Sequence, residues 1–383
     1  MPSRISSMDV RHRTSARLRI ACVYGRNHRP HVRLTSMSEI RLFRMAQAFA
    51  RRGHQTDIVL NHRRQPEILA PGLREIPFRS ARWEDYDVVK TFFHVGFDAL
   101  AVEGGADHPC IISKLGSVVG REEVPGVYFF GTVRERLYET QQRIARTSRV
   151  VTVLTDESAA LWRQEHGESS PLLHVPIGVD AEISPLGPNP YAAAGIEQPV
   201  VFFAGNIYTQ DKQPEVNRIW QDKLNRVGRA LRRRGVTLVA VGTGETGLLD
   251  REAVFHMGPI DAHAVWDWQR HAGAGLVLAQ GHTQHNESSK IYYYLRTGLP
   301  VACERPVPNA WLVEKTGHGT VVDYDDVESL SETAAELAKN PPAANDVIEH
   351  MITEHSWDER AARYEDVFAT MAAERRRDDR EHG

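Results

Sequence analysis

Cysteine is scarce in this 383-residue chain. The three present, Cys22, Cys110 and Cys303, lie far apart and show none of the short spacings that hold a structural metal. A disulfide framework is therefore excluded as the organising principle, and buried free thiols inside apolar strands are the plain reading. Long apolar runs are missing as well. No stretch approaches the roughly 20 residues that cross a bilayer. The opening MPSRISSMDVRHRTSAR is charged and lacks the apolar core of a secretory leader. No repeat of solenoid length and no low-complexity block interrupts the chain. Acidic residues are nearly absent from one region: up to Arg52 only Asp9 and Glu39 occur. This arginine-rich start reads either as a basic arm plus a solvated helix face or as an attraction to a phosphate, membrane surface or nucleic acid. The expectation is a cytoplasmic protein, with peripheral contact at the inner face of the membrane left open.

What is present points to ordered α/β structure. Hydrophobic residues make up 41% and charged residues 25%, the balance of a globular protein long enough for two domains. Leu18 to Tyr24 is a short apolar run suited to a buried strand. Ser36 or Ser38 can then cap a helix whose apolar positions include Ile40, Phe43, Met45, Ala46 and Phe49. Gly53 stops it and Thr56 to Leu60 returns as a strand, a βαβ unit that predicts a parallel, doubly wound sheet. Strands follow at Asp87–Phe93, Cys110–Ile112 and Val150–Leu154, with helices at Arg134–Arg146 and Asp156–His166. The Pro- and Gly-rich stretch from Ser184 to Pro190 has linker chemistry. Beyond it the series restarts with strands at Val200–Ala204, Val236–Val241, Gly275–Leu278, Pro300–Cys303 and Thr320–Asp323. The expected organisation is a basic tail over 1–16, an N-terminal domain over 17–183 and a linker over 184–198. A second domain over 199–355, a C-terminal helix over 356–374 and a charged tail over 375–383 complete it.

Ligands of open parallel sheets bind beyond the carboxyl ends of the strands, so the loops there carry the candidate chemistry. The strongest is Asn286-Glu-Ser-Ser-Lys290, which opens a segment closed by Gly298-Leu-Pro300. A cap at Ser288 or Ser289 and Gly298 past the end define a helix whose first turn gathers free N–H groups, two hydroxyls and the Lys290 ammonium. With the helix dipole added, that turn suits a diphosphate. Gly205-Asn206, with Lys212 downstream, forms a second loop where a ligand can approach the backbone closely. The third, Gly242-Thr-Gly244-Glu-Thr-Gly247, spells G-x-G-x-x-G, but it follows the second strand of its unit and opens no full helix. It reads as a glycine-rich nucleotide-side loop rather than a dinucleotide fingerprint. On the N-terminal side, His28, His31 and Arg33 follow the first strand, His94 follows Asp87–Phe93 and Lys114 follows Ile112. All are placed at the cleft, the first three and Lys114 as acceptor contacts and His94 as the preferred base. Asp325-Asp326 reads as a solvated turn, and no metal site is expected.

Taken in order, Pro176-Ile-Gly-Val-Asp180, the Gly205 loop with Lys212, Val241-Gly-Thr-Gly244, Gly258-Pro-Ile260 and Ser288-Ser-Lys…Gly298-Leu-Pro300 resemble GT-B glycosyltransferases of the family 4-like group. The resemblance spans about residues 17–370 and is most specific from Pro176 to Pro300. It implies two Rossmann-like doubly wound parallel-sheet domains facing a central cleft, a nucleoside-diphosphate sugar on the C-terminal domain and an acceptor on the N-terminal one. Gly205, Asn206, Lys212, Gly242, Gly244, Asn286, Ser288, Ser289 and Lys290 would then form the donor site, with the backbone near Ile260 on the base. The family commonly carries two glutamates eight positions apart around this helix; here those positions hold His285 and Tyr293, and Glu287 is the nearest substitute for the first, which makes it, with His94, an expected catalytic group. Ser-Ser-Lys, Tyr294 and Gly-Leu-Pro are also similar to bacterial exopolysaccharide glucuronosyltransferases.

These readings converge on a metal-independent transferase. It needs no cofactor beyond its nucleotide-sugar substrate, with UDP favoured. The acceptor class stays open among a lipid-linked glycan, a natural product and modified DNA. A sugar-nucleotide epimerase of the same fold and a nucleotide-binding protein without turnover are the alternatives.

Overall fold

In a computed structural model of the chain, the described residues are 17–26, 36–62, 64–124, 129–168, 170–196, 199–208, 214–261, 263–279 and 285–381. They form two sheets. The first takes β1 (Arg19–Tyr24), β2 (Gln55–Leu60), β3 (Glu67–Ala70), β4 (Leu73–Pro77), β5 (Val88–Phe92), β6 (Ile111–Lys114), β7 (Val150–Val153) and β8 (Leu172–His174). Their order in space is β3-β4-β2-β1-β5-β6-β7-β8, parallel throughout except for the β3–β4 pair. The second takes β9 (Val200–Ala204), β10 (Thr237–Val241), β11 (Val254–His256), β12 (Ala274–Val277), β13 (Val301–Glu304) and β14 (Gly319–Val322). Its order, β11-β10-β9-β12-β13-β14, runs outward in both directions from β9. That is the doubly wound pattern with its switch point beside the first strand. Helices cover both faces, so central strands such as Ile20–Tyr24 and Val200–Phe203 are buried along their length. Cys22, Cys110 and Cys303 are all buried free thiols.

The helices that frame the cleft form for local reasons. Ser36 caps the Met37–Arg51 helix through a reciprocal capping box with Glu39, and Leu42, Phe43, Met45, Ala46 and Phe49 bury its inner stripe. The Pro214–Arg233 helix buries Val216, Trp220, Leu224, Val227 and Leu231, a spacing of three and four that fixes one face on the second sheet. The Phe93–Val102 helix has no capping side chain and starts at Phe93 with φ 60, which hides it from sequence reading.

The C-terminal segment ties the halves together. Val179 and Ser356 form a parallel bridge, with Val179 N–H on the His355 carbonyl and Trp357 N–H on that of Val179. From there the Trp357–Glu381 helix returns to pack against the Met37–Arg51 helix and β5 of the first sheet. No helix among the described residues is long and apolar enough to cross a membrane.

Candidate functional site

A cleft of about 670 Å³ lies between the two sheets at the carboxyl ends of their strands. Its first wall is the start of the Met37–Arg51 helix, with Ser36, Ser38, Ile40 and Arg44. The facing wall is the Gly205 and Gly242 turns and the first turns of the Ser289–Arg296 helix. Pro259, Ile260, Val265 and Trp266 close one end.

The Ser289–Arg296 helix supplies the electropositive centre. Ser288 is its N-cap by position, but its hydroxyl makes no capping hydrogen bond and no bond to any other group. Instead the Ser288 backbone is tied to Asn309, whose Oδ1 accepts its N–H at 2.8 Å and whose Nδ2 donates to its carbonyl at 3.0 Å. The first-turn N–H groups are thereby left without an internal cap, which suits an anion. Lys290 lies in that turn over the rings of Phe203 (5.2 Å) and Trp220 (6.0 Å), with no carboxylate among its contacts. Burial pushes its ammonium down to about 8, so it stays largely protonated at neutral pH and gains by meeting a negative group.

The glycine turns are shaped by each other. A Cβ on Gly242, at φ 147, would sit 1.8 Å from the Gly205 carbonyl oxygen, and one on Gly244, at φ 132, would sit 2.6 Å from that of Tyr208. The G-x-G-x-x-G string thus packs two loops together, and its last glycine meets nothing. The Asn206 side chain holds the pair by accepting from Tyr208 N–H (3.1 Å) and the Thr243 hydroxyl (3.0 Å).

Of the sequence-derived donor residues, Gly205, Asn206, Gly242, Ile260, Ser289 and Lys290 line the cleft together. Gly244, Asn286 and Ser288 stand behind it: Gly244 bridges to Tyr208, and Asn286 Nδ2 reaches across to the Ser117 hydroxyl at 2.6 Å. Lys212, His28, His31 and Arg33 lie outside the described residues.

The structure draws two expected catalytic groups away from the cleft. His94 is buried in the Phe93–Val102 helix beside Gln141, and burial pushes its imidazole down to about 4, not the value near 7 a base would need. Glu287 accepts from Ile177 N–H at 2.9 Å and the Tyr292 hydroxyl at 2.6 Å; it braces the helix entry against the crossing segment. Lys114 is likewise buried, over the Phe93 ring at 4.8 Å and donating to the Leu115 carbonyl. With Arg41 and Lys90 it lines a small separate void, and its pKa falls well below the lysine range through burial and the neighbouring cations.

Sequence reading passed over Asp180, Tyr293, Arg44, His263 and Trp266 as site residues, yet all line the cleft. Asp180 ends the Pro176–Asp180 turn, so its motif was visible and its side-chain direction was not. Among the described residues no group of three or more His, Cys, Asp or Glu is placed to hold a metal ion.

This arrangement is the GT-B fold. Sucrose-phosphate synthase from Thermosynechococcus elongatus superposes with a TM-score of 0.66 at 12% identity, over 93% of this chain and 100% of that one. Anabaena HepE in complex with UDP and glucose gives 0.64 at 12%, over 92% and 100%. AviGT4, a glycosyltransferase involved in avilamycin A biosynthesis, gives 0.60 at 17%, over 93% and 98%. No family model matches the sequence, and no curated protein matches it.

Proposed function

We propose that the chain is a glycosyltransferase that passes a sugar from a nucleoside-diphosphate sugar to an acceptor hydroxyl. One observation carries the reading: the uncapped first turn of the Ser289–Arg296 helix, with the unpaired Lys290, faces the Gly205 turn across a cleft between two doubly wound sheets. As the bond from the anomeric carbon to the diphosphate breaks, charge grows on the leaving oxygens. Fixed N–H groups and an ammonium already aimed there stabilise it without reorganising. HepE crystallises with UDP and with UDP-glucose, and a trehalose-phosphate synthase of the same fold is UDP-forming, which supports a uridine donor. The Ser36 and Ser38 hydroxyls on the opposite wall suit a hydroxyl-rich acceptor.

Thermal shift tests this directly. A ligand that binds only the folded state raises the melting temperature by mass action. UDP is expected to raise it more than NAD, NADP or ATP at equal concentration. A larger shift with NAD would mean that the Gly242 turn serves a dinucleotide after all.

A further inference from the structure

Where the crossing segment meets the first sheet, the chain encloses a void of about 10 Å³. Three cations line it from three elements: Arg41 of the Met37–Arg51 helix, Lys90 of β5 and Lys114 of β6. Val175, Pro176 and Ile177 of the crossing segment close it with Trp357 and Tyr364 of the last helix. Lys90 is 0% and Lys114 7% exposed. Lys90 Nζ donates to the Tyr364 hydroxyl at 2.9 Å and Lys114 Nζ to the Leu115 carbonyl, one acceptor each for an ammonium with three N–H groups. Arg41 Nε is buried and has no acceptor among the described residues. Arg41 Cζ and Lys114 Nζ crowd one ring, lying 6.0 and 4.8 Å from the centre of Phe93.

Buried charge of a single sign is costly unless something of the opposite sign answers it. The described lining holds no carboxylate. The charge of Glu287 reaches Arg41 and Lys114, but its oxygens already accept from the Ile177 N–H and the Tyr292 hydroxyl. The faces of Phe92, Phe93 and Tyr364 offset part of the cost and leave the spare N–H groups unmatched. Burial lowers both lysines, Lys90 to about 7, and repulsion from Arg41 and Lys90 lowers Lys114 further.

The lining also says what kind of occupant would answer them. Its polar side chains are Arg41, Lys90, Lys114 and Trp357, which only donate, and Tyr364, whose hydroxyl already accepts from Lys90. A water would bring two hydrogens in need of acceptors. A monatomic anion brings none, carries the missing charge, and fits a volume that no sugar or phosphate ester could enter. We infer that the void is a site for one small monovalent anion of chloride size, held by Arg41, Lys90 and Lys114. There it braces the crossing segment and the last helix against the first sheet. The site lies apart from the cleft and does not depend on the nucleotide-sugar reading.

The melting temperature of the full chain in sodium chloride against sodium gluconate, at equal pH and ionic strength, is the test. Gluconate is too large for the void. Chloride is expected to raise the melting temperature by a few degrees over gluconate, and the gain should grow with the logarithm of its concentration, as for any ligand of the folded state. In crystals grown with bromide, the anomalous signal of the ion should fall among Arg41, Lys90 and Lys114. Lys114→Met keeps most of the side-chain volume and removes one donor, so the difference between the two salts should nearly vanish, whatever the variant's own stability. Arg41→Met should reduce the difference in part, and it serves as the second probe should Lys114→Met fail to fold. Equal melting temperatures of the parent in the two salts overturn the inference. So does a difference that survives both substitutions, or a bromide signal found only outside the void, since either places the ion elsewhere.

Discussion

His94 shows how burial redirects a residue that sequence position recommends. It follows β5 at the carboxyl edge of the sheet, where a base belongs, but the chain turns at once into a helix and folds the imidazole inward. Its folded pKa of about 4 lies below the usual histidine value, so the unfolded chain binds a proton between those pH values that the folded chain refuses. The stability tied to neutral His94 is present in full above about pH 6.5 and is lost as pH falls toward 4. His355, pushed down to about 3 by burial and by Arg360, acts in the same direction. Urea midpoints should therefore fall between pH 7 and pH 4.5. His94→Gln should flatten that decline by on the order of 1–3 kcal/mol. An unchanged slope in the variant would mean that His94 titrates freely and is not held neutral.

At the scale of elements, the helix at Ser289–Arg296 was legible because Ser-Ser-Lys before an apolar stretch and Gly298 after it mark both ends. The boundaries of β1, β2, β9 and β10 were legible from their apolar runs. The β3–β4 hairpin was not, since Glu67–Ala70 and Leu73–Pro77 are short and mixed in character, and β3 is an exposed edge. Nor does local sequence reveal that the last helix crosses back to the first sheet. Packing alone sets that return: Tyr364 accepts from buried Lys90 Nζ at 2.9 Å and contacts the Phe49 and Phe368 rings, both at 5.6 Å. Lys90 sits 4.2 Å from the centre of the Tyr364 ring, and burial pushes it down to about 7. Tyr364→Phe keeps the rings and strips the lysine of its acceptor, so it should cost about 1–3 kcal/mol in equilibrium denaturation with the fold intact. A neutral outcome would place the docking energy in the aromatic contacts alone.

Over the whole molecule, the sequence carried the two-sheet architecture and the electropositive face of the cleft. It could not carry the opposite face. Asp180, Arg44 and His263 come together only when two distant segments cross and a third helix closes over them, and no spacing along the chain encodes that meeting. Glu287 was misplaced for the same reason: its neighbours in sequence belong to the site, while its hydrogen bonds run to Ile177 and Tyr292. Lys290 holding an anionic ligand at an uncapped helix start is the centre of the proposed chemistry. Loss of one charge-assisted contact in a desolvated cleft costs about 1.5–3 kcal/mol. Calorimetric titration of UDP against the parent and Lys290→Ala should accordingly show affinity lower by roughly one to two orders of magnitude in the variant, with the fold retained by circular dichroism. Equal affinity in the two proteins would contradict it, and the helix would then be structural only.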